Sequence, residues 1–276
     1  MVFGIGIIDD VISVSSKTKF IVLILASILA YFDGFVVDNL GTYFGYTIPL
    51  AGFIALPFTV FAITGFTNAL NLIDGKDGLA SSVSISILIV HVYIGYHYDD
   101  FLILSSALLL ITVLGTFLIF NWYPAQVFMG DSGSLFIGFI IAMLSIHSLQ
   151  YIDVTTVLFI AGLPILDTII VMMRRRQRGI SMFTPDKNHT HHILFDMKQN
   201  VEFTVIFLMR IQLAFSLIAI QILSGDDIFN ILLFLNMFLL FFAIFDPRFK
   251  ARGEEYKVLT DNHRDRYRNI HKEKGK

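Results

Sequence analysis

The chain has 276 residues, of which 55% are hydrophobic and 15% charged, and its mean hydropathy is +0.73. A water-soluble particle cannot hide that much apolar surface, so the composition selects an all-α, polytopic membrane helix bundle. A net charge of -2 with no basic-aromatic groove excludes a nucleic-acid binder, and the absence of cysteine excludes disulfides and thiolate metal sites.

In chain order, residues 1–8 are apolar but too short to span, and they lack the basic start and cleavage site of a signal peptide. They read as the end of a helix that closes on Asp9-Asp10. Apolar runs follow at residues 20–37, 48–70, 80–98, 101–120, 134–149, 154–173, 201–223 and 228–245. Most approach the roughly 20 residues that a helix needs to cross hydrocarbon. The expected fold has about eight full transmembrane helices plus a partial N-terminal one. Residues 1–246 form the membrane domain, and residues 247–276 form a basic cytoplasmic tail.

Alternating crossings sort the loops onto two sides. Lys17, Lys19, Lys76, the arginines of residues 174–178, Lys187, Lys198 and the basic tail fall on one side. Asp33, Asp38, Asp99, Asp100, Asp153, Asp226 and Asp227 fall on the other, where no lysine or arginine occurs. By the positive-inside rule the first side is cytoplasmic.

The polar motifs gather on that cytoplasmic side. Asp9-Asp10 ends the first short run, the Asn68 to Leu79 segment ends the second crossing, and Gly130-Asp131-Ser132-Gly133-Ser134 opens a later one. One aspartate at a helix end reads as a solvated cap. Several within about 5 Å repel by about 3 kcal/mol per pair at an effective dielectric near 20, and so call for a cation. All-oxygen ligation at an interface suits Mg²⁺, or Mn²⁺, better than zinc. Asn68, Asn71 and Asp74 recur at every third position, a polar stripe on an otherwise apolar helix. Gly75 and Gly78 then break that helix, and the small residues around Asp131 offer the N-terminus of a new helix to an anion.

The loop after the arginines carries His189, His191 and His192, which read as a zinc site, a proton-handling site or a phosphate-binding cluster, zinc being the least favoured. The arginine run itself reads as a topology determinant and headgroup contact. Asp167 lies about 10 Å deeper than Arg174 along its helix and needs a partner or a cavity. Arg210 is one candidate, unless it snorkels to the interface. His91, His97 and His147 read as packing or interfacial residues.

Together these motifs resemble the polyprenyl-phosphate N-acetylhexosamine-1-phosphate transferases. The resemblance rests on the Asp pair, Asn-Ala-x-Asn-x-x-Asp-Gly-x-Asp-Gly-Leu, Gly-Asp-Ser-Gly-Ser, Pro164-Ile165-Leu166-Asp167-Thr168 and Pro-Asp-Lys-x-His-x-His-His, in order over nearly the whole chain. The histidine motif is similar to that of the undecaprenyl-phosphate N-acetylglucosamine-1-phosphate transferases, which begin teichoic-acid or O-antigen synthesis. It is less similar to that of the related muramoyl-pentapeptide transferase.

The resemblance implies a magnesium-dependent transfer of N-acetylhexosamine 1-phosphate, GlcNAc 1-phosphate above all, from a UDP-sugar to undecaprenyl phosphate with release of UMP. The setting it implies is the cytoplasmic side of the bacterial inner membrane. It also implies roles: Asn71 and Asp131 as metal ligands, Asp9 and Asp10 beside the lipid phosphate, and Asp74 and Asp77 on the nucleotide-sugar side. His189, His191 and His192, with Asn68, would bind phosphate. Members of the family usually carry further crossings before the Asp pair, so Asp9 is expected to be poorly held. The rival readings are a transporter or lipid flippase, which would spread its acids through the midplane, and an inactive homologue.

Overall fold

The computed structural model describes residues 1–177, 179, 189–223 and 227–245. Along the chain it contains α1 (Val2–Ile12), α2 (Ser16–Phe32), β1 (Asn39–Tyr43), β2 (Tyr46–Pro49), α3 (Gly52–Ile73), α4 (Leu79–His97) and α5 (Phe101–Asn121). Then come α6 (Gly130–His147), a 3₁₀ turn at Ser148–Gln150, α7 (Val154–Ile160), α8 (Gly162–Gln177), α9 (Thr190–Lys198), α10 (Val201–Gln221) and α11 (Asp227–Ile244). The fold is all-α apart from one hairpin, as the composition requires.

Each predicted apolar run is helical over most of its length. Six helices, α3, α4, α5, α6, α10 and α11, are long and apolar enough to cross a membrane. The 17 residues of α2 extend about 25 Å, slightly short of a full crossing. The run at residues 154–173, predicted as one crossing, is instead a pair, α7 and α8, bent by 86°. Pro164 has no N–H to give the Ile160 carbonyl, and the buried Gln212 of α10 supplies the missing donor from Nε2 at 2.9 Å. The same side chain accepts the Leu163 N–H on Oε1 at 3.0 Å. The break therefore leaves these backbone groups paired, as a hydrocarbon setting demands. Gly162 lies flat against Phe215, where a Cβ would come within 2.6 Å of the ring.

The core is built around α4, which packs against α5, α6 and α10. Its small polar residues face inward: Ser81, Ser82, Ser84 and Ser86 are buried, and Ser216 of α10 donates to the Ser86 carbonyl at 2.9 Å. Buried His91 bonds Ser145 of α6 at 3.1 Å, a packing role. By contrast α5 turns Leu109, Val113 and Ile119 outward. The small polar residues of α4 pack among the buried Ile87, Leu88 and Ile94 of the same helix, an arrangement suited to lipid, where helices gain from close backbone approach rather than from hiding hydrophobic surface. Gly95 provides such an approach, since a Cβ there would sit 2.5 Å from the Leu104 nitrogen.

The hairpin separates α2 from α3, and its last two residues, Ile48 and Pro49, fall inside the apolar run expected at residues 48–70. Phe44 and Gly45 both take positive φ, 53° and 80°, between the paired Tyr43 and Tyr46, the twist that a two-residue hairpin requires. Asp227, at the start of α11, accepts the Thr42 N–H of β1 at 2.6 Å and the Thr155 hydroxyl of α7. Asp100, His147 and Tyr151 likewise meet. These residues belong to loops predicted on one side, and the alternation of the crossings accounts for their meeting.

Contacts divide the chain into two units, Met1–Leu235 and Asn236–Lys276. In the second, the end of α11 carries the ring pairs Phe238–Phe242 and Phe241–Phe245. The predicted tail at residues 247–276 lies outside the described residues, as do Arg178, Asp226 and the Pro185 to Asn188 part of the histidine motif.

Candidate active site

Three helix ends meet at the lysine-bearing end of the first unit. The C-terminus of α1 brings Asp9 and Asp10, the C-terminus of α3 brings Asn71 and Asp74, and the N-terminus of α6 brings Asp131. Close approach makes this possible. Gly6 of α1 lies against the α6 backbone, where a Cβ would fall 2.4 Å from the Ser132 Cα, and Gly138 of α6 lies against Thr67 of α3, where a Cβ would fall 3.1 Å from its Cα.

Asp10 spans the first junction. Its two carboxylate oxygens accept the N–H groups of Asp131 at 2.9 Å and Ser132 at 3.1 Å, so it caps α6 from another helix. Gly130, at φ 64°, sits where any Cβ would come 2.8 Å from the Asp10 oxygens. Asn71 spans the second junction, donating from Nδ2 to Asp131 Oδ1 at 3.1 Å and to Ser134 Oγ at 2.9 Å. Asp9 is firmly held, contrary to expectation: it accepts the Val14 N–H at 2.6 Å and the Lys19 ammonium at 3.0 Å. Lys19 also reaches Asp131 at 2.6 Å and joins the two acids. In the sequence Lys19 reads only as a marker of side.

Asp74 is the least compensated acid. Burial, followed by the charges of Asp131 and Asp10, pushes its carboxyl up to about 7. Asp77 is tied elsewhere: its Oδ2 accepts the Ala125 N–H at 3.0 Å. Asn121, another residue missed in the sequence, binds the same loop by accepting from Gly78 N and Ser81 Oγ and donating to the Val127 carbonyl. Asn68 is half-buried on α3, and its side chain makes no hydrogen bond to the described residues.

The histidines form a second group that abuts the first. His191 is buried against Gly75, where a Cβ would lie 2.3 Å from its Nε2. Its ring stacks on His189 at 5.8 Å and tilts against His192 at 4.2 Å. Burial, opposed by Asp167 but reinforced by His192, His189 and Lys76, pushes His191 down to about 3. Lys76 sits over the Phe195 ring of α9 at 3.7 Å, a cation–π contact that joins the Asp74–Asp77 loop to the histidine helix. Asp167 takes His189, not Arg210, as its partner, at 2.7 Å from Nδ1, while Arg210 is exposed. Arg174 and Arg175 are buried, a placement that a simple headgroup contact does not explain.

Among the described residues no three His, Asp or Glu side chains gather as a metal cage. A magnesium ion does not need one, because it is commonly held by one or two carboxylates and completed by water and substrate phosphate. The oxygen donors, the burial and neighbouring acids that raise Asp74, and the resident ammonium between Asp9 and Asp131 all fit a hard cation at this place.

Residues 1–149 match glycosyl transferase family 4. Over 270 residues the chain is 32% identical to a probable undecaprenyl-phosphate N-acetylglucosaminyl 1-phosphate transferase of Bacillus subtilis (strain 168), covering 94% of this chain and 75% of that protein. The chain belongs to glycosyl transferase family 4. Within the family it is also 34% identical over 188 residues to a phospho-N-acetylmuramoyl-pentapeptide-transferase of Streptococcus agalactiae, covering 63% of this chain and 54% of that one. It is 29% identical over 201 residues to the undecaprenyl-phosphate alpha-N-acetylglucosaminyl 1-phosphate transferase of Escherichia coli (strain K12), covering 69% of this chain and 54% of the relative. The family 4 chain thus spans three quarters of the first relative and about half of the other two.

Proposed function

We propose that this protein transfers N-acetylhexosamine 1-phosphate, most specifically GlcNAc 1-phosphate, from a UDP-sugar to undecaprenyl phosphate at the cytoplasmic face of a bacterial inner membrane. The meeting of Asp9, Asp10, Asn71, Asp74 and Asp131 at one end of three helices carries this reading, together with the names of the relatives. In the reaction an oxygen of the lipid phosphate forms a bond to the β-phosphorus of the UDP-sugar. The bond from that phosphorus to the bridging oxygen breaks, and UMP leaves with that oxygen. One phosphoanhydride replaces another, so the protein's work is alignment and charge neutralisation.

Asp131 and Asn71 would hold Mg²⁺, which when bound offsets the negative charge of the pyrophosphate. Asp10 fixes the α6 N-terminus and thereby aims Asp131. Asp9, paired with Lys19, lies beside the path of the lipid phosphate, whose second pKa near 6 leaves little need for a general base. Asp74 and Asp77 order the loop on the nucleotide side, and His189, His191, His192 and Asn68 line the phosphate side. Gathering of the acids at one end, rather than through the midplane, favours this enzyme over a transporter or flippase.

Proteoliposomes holding the protein and undecaprenyl phosphate, given UDP-[¹⁴C]GlcNAc, test the reading. Labelled lipid and stoichiometric UMP that both require Mg²⁺ are expected. Transport of label without a lipid product, or no product at all, would reject it.

A further inference from the structure

Pro164-Ile165-Leu166-Asp167-Thr168 has no role in the chemistry above, although Asp167 is buried in a helix of the membrane domain. Its Oδ2 faces His189 Nδ1 at 2.7 Å, and its Oδ1 accepts the N–H of Thr190 at 2.7 Å and the Thr190 hydroxyl at 2.5 Å. One carboxylate therefore pins both the first histidine of the motif and the first turn of α9.

A cap alone would need only the Thr190 contacts. The bond to Nδ1 does something more: an imidazole whose Nδ1–H is given to a carboxylate is fixed in orientation and presents Nε2 in the opposite direction. The fixed ring is also the base of a stack. His189 lies parallel to His191 within 11°, and His191 presses on Gly75, next to Asp74. The chain of contacts thus runs from Asp167 to the edge of the acidic site. Between Asp167, Thr190 and His191 there is a cavity of about 10 Å³. This is room for one water at most, and Asp167 itself is buried.

We infer that Asp167 is a positioning residue, which holds the buried ring of His189 through Nδ1–H so that Nε2, when it also carries a proton, donates to a substrate phosphate. The inference rests on the proposed transferase reading. It explains why an aspartate, rather than an apolar residue, occupies this buried position just past the α7–α8 break: the bend aims this turn of α8 at α9.

A double-mutant cycle tests it. Asp167→Asn keeps the shape and can still accept from Thr190, but its amide can donate to Nδ1 and so no longer dictates which ring nitrogen is protonated. Expected are a drop in kcat/KM for the UDP-sugar of tenfold or more, normal membrane levels, and an Asp167→Asn/His189→Gln double variant within twofold of His189→Gln alone. In ¹⁵N-histidine NMR of the protein in nanodiscs, the ring signal lost in His189→Gln should be Nδ1-protonated in wild type and displaced in Asp167→Asn. Multiplying effects in the cycle, an unmoved ring signal, or unchanged turnover would overturn the role of Asp167. If Asp167→Asn fails to accumulate, Asp167→Glu, which keeps the charge but moves the ring, should fold and lose several-fold in turnover; equal turnover would again overturn it. Wild-type protein that makes no labelled lipid would instead reject the transferase reading, and the inference with it.

Discussion

At the end of the bundle without lysine or arginine, Asp100 accepts the Ile103 N–H at 2.8 Å, the Tyr151 hydroxyl at 2.9 Å and His147 Nε2 at 3.1 Å. Burial acts to raise its pKa, but these donors hold it below the usual carboxylate range. At the other end Asp9, Asp10, Asp74 and Asp131 lie together with one bridging ammonium, Lys19, and Asp74 is forced up to about 7. A carboxylate saturated by hydrogen bonds is a structural joint, whereas one raised by burial and by neighbouring acids marks a place where a bound cation would offset the crowding.

The widest separation between the two ends should come from Asp131→Asn. In the proteoliposome assay this change should lower turnover a hundredfold or more while membrane insertion stays normal, because the carboxylate proposed to hold Mg²⁺ becomes a neutral amide. An unaffected rate would take Asp131 out of the site. Gly6→Ala should be next. Its methyl overlaps the Ser132 backbone and pushes α1 from α6, destabilising the bundle by about 1–3 kcal/mol and weakening transfer roughly tenfold. Gly4→Ala, which has nothing within 4 Å, should match wild type in both the melt and the assay.

Asp100→Asn should destabilise by about 1–2 kcal/mol at neutral pH and leave transfer per folded molecule unchanged. Because the folded pKa of Asp100 is depressed, this stability is present above the unfolded value of 3.8 and fades as pH falls through the folded one. Asp74 has the opposite sign. Its raised pKa gives stability below 3.8 that is lost as pH rises through about 7, so the melting temperature of Asp74→Asn relative to wild type should climb between about pH 4 and 8. Parallel curves for the two variants would remove the distinction between the ends.

The helices were legible because a membrane span is written in composition, and the acidic convergence because its motifs sit at ends that alternation brings to one side. The break at Ala161 was not legible, although Gly162 and Pro164 are visible, because a break in lipid is tolerable only when another helix pairs the freed groups. That helper, Gln212, lies about fifty positions away in the chain. The partner of Asp167 stayed open in the sequence for a similar reason: Arg210 had the complementary charge, but the return of α9 carries His189 to the carboxylate. Lys19 was seen only as a charge count, since nothing local shows that its ammonium lies between acids from two other helices.

That ammonium has a consequence for how the protein is made. A counter-ion built into the polypeptide arrives during translation, so the acidic ends can be gathered before any free ion has entered. Chelators added during extraction should therefore silence the enzyme but leave its melting temperature within a few degrees, and returning Mg²⁺ should revive it with no refolding step. Lys19→Met, deprived of its internal electrolyte, should be the variant whose purification begins to depend on the divalent content of the buffer.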